Sequence, residues 1–293
     1  MPLVASAELL RAALAGGYAV PSFCVWNAET MVAVLRVAAD CQAPIMLMNG
    51  PGEFPLLPPA EMGAVAHAVV GRFDVPVALH LDHGDSLEQV AECLAAGYTS
   101  VMLDYSTRPF AENAAALRAV VAQARPRGVS VEGELGHVGR VNDSTAEGGE
   151  QATLTDPAEA AALVAETGIE ALAVSIGNAH GQYTRLPRLD FERLAAIRAA
   201  VPVPLVLHGG SGTPPENLRR AIGLGIAKVN VATELVTAVR ESLLSQWQAR
   251  ENLWVPAAQT VAMEALARVV EKWIHATGAA GQAGKVQSVK CKV

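Results

Sequence analysis

The chain has 293 residues, of which 51% are apolar and 17% are charged, and its formal net charge is −7. This composition excludes a disordered chain and a basic surface for nucleic acid. No apolar run reaches the length of a membrane span, and the first fifteen residues lack the pattern of a secretory signal. The four cysteines are widely spaced and form neither a disulfide framework nor a Cys-x-x-Cys metal motif. We therefore expect a cytoplasmic protein with reduced thiols that binds neither membranes nor nucleic acid.

Short apolar runs alternate with helical stretches along the whole chain. Eight runs are predicted as strands, at 19–24, 44–48, 75–81, 100–103, 129–135, 171–175, 205–207 and 228–231. Helices are predicted between and after them, at 28–39, 59–71, 87–94, 111–124, 157–167, 190–200, from 215, 233–249 and 257–276. Asn27 is the expected cap of the first predicted helix, and Asp85 or Ser86 that of the third.

The predicted strands are uniformly apolar, which is typical of a parallel sheet covered on both faces. Eight strands, each followed by a helix, predict an α/β chain folded as a (β/α)8 TIM barrel with additional C-terminal helices. No linker divides the chain, so we expect one barrel domain over residues 1–277. Residues 278–293 are predicted to be a flexible C-terminal tail.

The C-terminal ends of barrel strands carry the chemistry in this fold. The polar residues predicted there are Asp82 and His83, Asp104, Glu132 and Glu134, His180, and His208. A single histidine is more often a core or loop residue than a ligand, but His83, His180 and His208 fall at three strand ends of one rim. Three imidazoles and a carboxylate suit Zn²⁺ or a similar metal.

Two glycine-rich turns follow the last two predicted strands, at 208–212 and 230–233. Barrels often bind phosphate at this position through backbone N–H groups. The alternative is that the glycines only form tight turns. The hydroxyls of Ser211 and Thr233 favour phosphate.

Five motifs lie in order on these strands: His80-Leu81-Asp82-His83, Val131-Glu132-Gly133-Glu134-Leu135-Gly136, Gly177-Asn178-Ala179-His180-Gly181, Val206-Leu207-His208-Gly209-Gly210-Ser211 and Lys228-Val229-Asn230-Val231-Ala232-Thr233-Glu234-Leu235. With them the chain resembles the class II, zinc-dependent ketose-bisphosphate aldolases over about residues 5–282. It is most similar to the tagatose-bisphosphate aldolase branch. The resemblance implies reversible cleavage of a ketose (bis)phosphate to dihydroxyacetone phosphate and an aldehyde, through a zinc-stabilised enediolate.

The resemblance also implies roles for individual residues. His83, His180 and His208 match the zinc ligands, Glu134 matches a carboxylate at or near the metal, and Asp82 matches the proton donor. Lys228 is interpreted as structural, because the zinc-dependent reaction needs no Schiff base.

The resemblance further implies where the substrate binds. The positions that match the dihydroxyacetone phosphate site are Gly181, Gly209, Gly210, Ser211, Asn230, Val231, Ala232 and Thr233. A monovalent cation, Na⁺ or K⁺, is expected near the phosphate. The family is usually dimeric or tetrameric, so a homodimer or homotetramer is expected.

Several positions depart from the family pattern. In the long polar segment 136–156, Asn142 stands where a proton-transferring Glu is expected, and an amide cannot act as a base. Asp143 or Glu147 are possible substitutes. Tyr105 replaces the Gly of an Asp-Gly-Ser motif after the fourth strand. The usual Asn is replaced within 23–27, and 251–256 lacks the Arg that binds a distal phosphate, although Arg250 precedes it.

These departures suggest a remodelled aldehyde side. Our hypothesis is an aldolase for a ketose 1-phosphate or for an unusual bisphosphate. Two other interpretations stay open: another zinc-dependent barrel enzyme, such as a hydrolase, and a non-catalytic or regulatory sugar-phosphate-binding homologue, which Asn142 favours. The sequence does not decide the stereochemistry or the chain length of the sugar.

Overall fold

Eight parallel strands form a closed barrel in the order of the sequence, and β1 pairs with β8 to close it. The computed structural model describes residues 3–141, 152–181, 183, 186–251 and 254–286. The strands are β1 (Val20–Cys24), β2 (Ile45–Asn49), β3 (Val77–Gly84), β4 (Ser100–Leu103), β5 (Ser130–Leu135), β6 (Ala171–Val174), β7 (Leu205–Leu207) and β8 (Ile226–Val231). The prediction of a (β/α)8 barrel is confirmed.

Helices surround the barrel and account for the uniformly apolar strands, whose outer faces they cover. They are α1 (Ser6–Gly16), α2 (Ala28–Asp40), α3 (Pro59–Val70), α4 (Leu87–Ala95), α5 (Phe110–Ala124), α6 (Pro157–Thr167), α7 (Phe191–Ala200), α8 (Pro215–Gly223), α9 (Thr233–Gln248) and α10 (Val255–Ala276). Asn27 forms a capping box with Thr30 at the start of α2, as predicted. Of the two candidates for α4, Ser86 is the cap, and its side chain accepts a hydrogen bond from the Gln89 backbone.

Helix α1 was not predicted, and it covers the N-terminal end of the barrel. Ser6 Oγ lies 2.8 Å from Ser100 Oγ at the start of β4, and the Ala7 N–H donates to Ser130 Oγ at the start of β5. Leu9 and Leu10 are fully buried. Because this end is closed, the opposite, C-terminal end is the one available to a substrate.

The first part of the predicted tail packs against the barrel. Ala279 and Ala283 are buried, and the N–H groups of Gly281 and Ala283 donate to the carbonyls of Cys41 and Gln42 at the end of α2. Residues 287–293 lie outside the described residues, so for them a flexible end stays a prediction. None of the helices in the described ranges has the length and apolarity needed to cross a bilayer.

Candidate active site

Three imidazoles meet at the C-terminal mouth of the barrel. His83 lies near the end of β3, and His180 and His208 follow β6 and β7. The Nε2 atom of His83 is 2.8 Å from Nδ1 of His208 and 3.2 Å from Nε2 of His180. The structure therefore brings together the three histidines that the sequence placed at separate strand ends.

The end of β3 departs from regular strand geometry at His83. Successive residues of a strand point to opposite faces. Here, however, the side chains of Asp82 and His83 both interact with His180 and His208. The pairing with β4 shifts register between Leu81 and Gly84, and His83 has a φ of 48°, in the left-handed region. Such a conformation is sparsely populated outside glycine and is typical of functional sites. The sequence pattern carried no sign of it.

Two carboxylates hold the far sides of these imidazoles. Asp104 Oδ2 is 2.7 Å from Nδ1 of His83, and Glu132 Oε1 is 2.9 Å from Nε2 of His208. An ionised carboxylate only accepts hydrogen bonds, so the nitrogen that faces the carboxylate, Nδ1 of His83 or Nε2 of His208, must carry a proton. The lone pair of His208 Nδ1 then faces the cluster, and Nε2 of His83 faces it with the proton that a metal ion would replace, as in metal sites with carboxylate-oriented histidines. Sequence reasoning placed Asp104 and Glu132 at strand ends but gave them no role.

Glu134 adds a buried carboxylate beside the imidazoles. Its Oε1 accepts a hydrogen bond from the Val138 N–H, while its Oε2 is buried with no hydrogen-bond partner among the described residues. That oxygen lies 3.7 Å from Nδ1 of His208. Burial raises the pKa of Glu134 to about 8. A buried oxygen without a partner is costly, and a bound cation would satisfy it.

The charge state of the histidines also suits a cation. Burial and the neighbouring His83 lower the pKa of His180 to about 4, and burial lowers the pKa of His208 well below its usual value. Both rings are therefore neutral at pH 7 and can act as ligands. Burial alone would lower the pKa of His83 too, but Asp82 and the hydrogen bond to Asp104 outweigh it and raise that pKa to about 10. A metal ion would replace this one imidazole proton.

The donor set fits Zn²⁺. In a tetrahedral zinc site, ligand nitrogens lie about 3.3 Å apart, and the separations between the imidazole nitrogens here are 2.8 and 3.2 Å. Three imidazoles and one carboxylate are ligands that Zn²⁺ accepts. A different group of possible ligands, Cys41, Glu271 and His275, lies where the end of α2 meets α10, on the outside of the barrel.

Asp82 lies next to the histidines on β3. Its Oδ1 accepts a hydrogen bond of 2.8 Å from Asn230 Nδ2. Burial would raise the pKa of Asp82, but His83, His208 and Lys228 together lower it below the usual value. An ionised carboxylate at this position can take up and return a proton.

The loops after β6, β7 and β8, together with residues of α9 and α10, line a cavity of about 520 Å³ that reaches Gly181, the residue after His180. Gly181, Ser211 and Thr233, three of the predicted substrate residues, are among its walls. Glu234, which the sequence placed in the fifth motif without a role, accepts hydrogen bonds from the Gly212 N–H and from Lys272. It fixes the turn that carries Ser211.

The other predicted substrate residues have different surroundings. Gly209 and Gly210 form the turn after β7, and the Gly210 N–H donates to the Asn230 carbonyl. Val231 packs in the core, so only its backbone could reach a substrate, and Ala232 directly precedes α9.

Part of the long polar segment is tied to the His180 turn. The Val141 N–H donates to the His180 carbonyl, and the His180 N–H donates to the Gly139 carbonyl. Asn142, Asp143 and Glu147 lie outside the described residues. Which residue takes the place of the proton-transferring Glu therefore stays a prediction from the sequence.

Known proteins match nearly the whole chain. The model of the family described as Fructose-bisphosphate aldolase class-II matches residues 4–282. The fold resembles the YdjI aldolase from Escherichia coli K12 with 32% identity and a TM-score of 0.85, over 96% of this chain and 99% of that one. A candidate fructose-1,6-biphosphate aldolase from Coccidioides immitis has 32% identity and a TM-score of 0.83, over 94% and 96% of the two chains. Fructose-bisphosphate aldolase from Campylobacter jejuni, 21% identical, shares the fold with a TM-score of 0.82, over 95% and 96%.

Proposed function

The chain belongs to the class-II fructose-bisphosphate aldolase family and is an aldolase, and from this we propose a Zn²⁺-dependent cleavage of a ketose phosphate to dihydroxyacetone phosphate and an aldehyde. The observation that carries the proposal is the convergence of three imidazole nitrogens within 4.8 Å of one another. Its resemblance to the tagatose-bisphosphate branch stays a prediction.

The proposed metal ligands are His83, His180 and His208, with Glu134 as a further carboxylate ligand. Zn²⁺ bound there would act as a Lewis acid on the ketone and hydroxyl oxygens of the substrate. The partnerless Oε2 of Glu134 and the carboxylates behind His83 and His208 support this assignment.

Asp82 is the proposed proton-transfer residue. In the cleavage direction the C4 hydroxyl loses its proton while the C3–C4 bond breaks, and in the condensation direction the aldehyde oxygen regains one. Asn230 fixes Oδ1 of Asp82. The Oδ2 atom of Asp82 has no hydrogen bond among the described residues, so it is available to the reacting hydroxyl.

The triose phosphate half of the substrate is assigned to the cavity beside the histidines. The proposed phosphate site comprises Gly181, Gly209, Gly210, Ser211 and residues 230–233. The Gly210 N–H is already bonded to the Asn230 carbonyl, so Gly210 would shape the turn, while other backbone N–H groups and the hydroxyls of Ser211 and Thr233 would bind the phosphate. A monovalent cation, Na⁺ or K⁺, would offset the phosphate charge. The volume of about 520 Å³ lies within the usual size range of a small-molecule site.

The aldehyde half is proposed to lack a distal phosphate, which makes the substrate a ketose 1-phosphate. At the end of β1, Cys24 Sγ lies 3.7 Å from Oε1 of Glu53, so this rim carries a carboxylate. A carboxylate disfavours a nearby phosphate and accepts hydrogen bonds from sugar hydroxyls.

Metal analysis combined with a substrate panel tests the proposal. We expect one Zn²⁺ per chain in the cluster, its loss in His208→Ala, and its retention in His67→Ala, a control on the exposed face of α3. The zinc content of both variants is measured in a Cys41→Ala background, which disrupts the outer group of possible ligands formed by Cys41, Glu271 and His275. Ketose 1-phosphates should release dihydroxyacetone phosphate, with bisphosphates as the comparison.

Hydrogen exchange separates the alternatives. An aldolase should exchange deuterium into dihydroxyacetone phosphate when no aldehyde is present. Bound zinc without exchange or cleavage would indicate another zinc-dependent barrel enzyme. Binding of sugar phosphate without zinc or turnover would indicate a regulatory homologue. Efficient cleavage of bisphosphates alone would contradict the ketose 1-phosphate assignment.

Assembly and location complete the proposal. Several apolar side chains of α9, α10 and the segment between them are exposed, among them Leu244, Trp247 and Trp254, which supports a homodimer or homotetramer. Cys24, Cys41 and Cys93 are free thiols, which supports a cytoplasmic location. Light scattering of the purified protein tests the first point, and cell fractionation tests the second.

A further inference from the structure

A buried ionic group lies inside the barrel below the histidine cluster. Lys228 Nζ is 2.8 and 3.1 Å from the two carboxylate oxygens of Glu132 and 3.0 Å from Nε2 of His80. Lys228 and His80 are 0% exposed and Glu132 is 2% exposed. The three N–H groups of the ammonium are therefore all engaged away from solvent, which leaves none for a substrate.

The direction of each hydrogen bond in this group follows from the ammonium of Lys228 and the carboxylate of Glu132. An ammonium group only donates, so Nε2 of His80 must accept, and the His80 proton lies on Nδ1, 2.8 Å from Ser100 Oγ. Glu132 only accepts, and it takes hydrogen bonds from Lys228 and from Nε2 of His208. His208 is left with the lone pair of Nδ1 directed at His83 and the cluster.

Charge compensation depends on Lys228 as well. A carboxylate withdrawn from water is strongly destabilised unless it is paired and hydrogen-bonded. Lys228 is the cation in contact with Glu132. Without it, Glu132 would be a buried charge whose nearest partner is a metal ligand.

We propose that Lys228 is a positioning residue for the metal centre. By pairing with Glu132 it holds that carboxylate on Nε2 of His208 and so keeps Nδ1 of His208 available to the metal. Sequence reasoning gave Lys228 a structural role only. The inference rests on the proposed metal site, but its test measures metal binding and does not depend on aldolase activity.

The test compares the charge-breaking variant Lys228→Met with the charge-free pair Lys228→Met and Glu132→Gln. The glutamine oxygen still accepts from His208, and neither side chain of the pair then carries a charge. Lys285→Met, an exposed lysine, is the matched control. Affinity is measured by Zn²⁺ competition and by the visible absorption of Co²⁺, and folding is measured by circular dichroism.

Lys228→Met should lose metal affinity by about 10- to 100-fold, the usual effect of removing a group that orients a ligand, with an altered Co²⁺ spectrum. The double variant should recover most of that loss, and Lys285→Met should match the wild type. Wild-type affinity in Lys228→Met, or no recovery in a folded double variant, would overturn the proposal. If Lys228→Met does not fold, the double variant decides: affinity within about tenfold of wild type supports the proposal, and a larger loss overturns it. A wild-type chain that binds no metal would instead refute the proposed function.

Discussion

At the scale of single residues, the site depends on one unusual backbone conformation. Asp82 and His83 are adjacent in sequence, and a regular strand would send one of them into the helix layer. The left-handed φ of His83 and the register shift before Gly84 let both serve the same cluster. Glycine is required at 84, because a Cβ there would lie 2.6 Å from the Met102 carbonyl oxygen.

Asp82→Asn should lower kcat for ketose phosphate cleavage by about 10²- to 10⁴-fold, the usual contribution of a positioned acid or base. The amide keeps the shape of the side chain but cannot transfer a proton. Zinc content should not change, since Asp82 is not a proposed ligand. The comparison variant is Asp85→Asn, an exposed residue three positions along, which should keep normal kcat. Normal kcat in Asp82→Asn would remove Asp82 from the mechanism.

The cysteines give a prediction that depends on pH. Burial raises the pKa of the Cys93 thiol to about 12 and that of Cys24 well above its usual value. At pH 8 only about one Cys93 thiol in 10⁴ is then ionised, and the thiolate is the reactive form. Iodoacetamide should therefore leave both unlabelled in the native protein from pH 7 to 9. Partly exposed Cys41 should be labelled faster as pH rises. Mass spectrometry measures this, and rapid native labelling of Cys93 would show that α4 separates from the barrel.

The site residues that could be predicted from the sequence are those whose position follows from the order of the strands. Strand ends of one barrel converge, so His83, His180 and His208 could be placed together from strand order alone. The φ of His83 could not be read, because no residue type marks it. The pairing of Glu132 with Lys228 joins residues 96 positions apart, and only the barrel geometry shows which interior side chains meet.

At the scale of elements, the turns after β6 and β7 interlock. Gly209 has a φ of 62°, and a Cβ on it would lie 1.9 Å from the carbonyl oxygen of Ala179, the residue before His180. One glycine therefore sets the spacing of two turns that carry two proposed ligands.

Gly209→Ala should destabilise the protein by more than about 2 kcal/mol, as steric conflict with a rigid backbone does, and should weaken zinc binding by displacing His180. Thermal unfolding and zinc competition measure the two effects. Gly223→Ala is the control, since it ends α8 with nothing within 4 Å of a Cβ and should change stability by about 1 kcal/mol or less. Equal behaviour of the two variants would contradict the interlock.

The elements also show which local signals were readable. The cap Asn27 was predicted because an Asn directly before an apolar helical pattern is a strong start signal. Helix α1 was missed because the alternation of strand and helix begins with β1. Its buried Leu9, Leu10 and Ala13 follow helical spacing, and that pattern could have found it.

At the scale of the whole molecule, a metal at the mouth would join three separate parts of the chain. Zinc at about a thousand times its Kd contributes about 4 kcal/mol of stability, so chelation should lower Tm by roughly 7 °C. Far-ultraviolet circular dichroism at 25 °C should stay the same, because the core of the barrel is independent of the mouth. In His208→Ala, the chelator should have no effect on Tm. A wild-type Tm that does not move after verified zinc removal would contradict a metal shared by these loops.

The pairing of Glu132 with Lys228 has a consequence for how the chain is made. Synthesis releases Glu132 from the ribosome 96 residues before its cation. Until β8 arrives, an incomplete barrel that dried its interior would bury a carboxylate without a counter-charge, at a cost of several kcal/mol. We therefore expect half-barrels of this chain to stay hydrated until the last strand closes the sheet and brings Lys228 to Glu132. The nascent protein should accordingly resist stable folding until β8 has emerged from the ribosome.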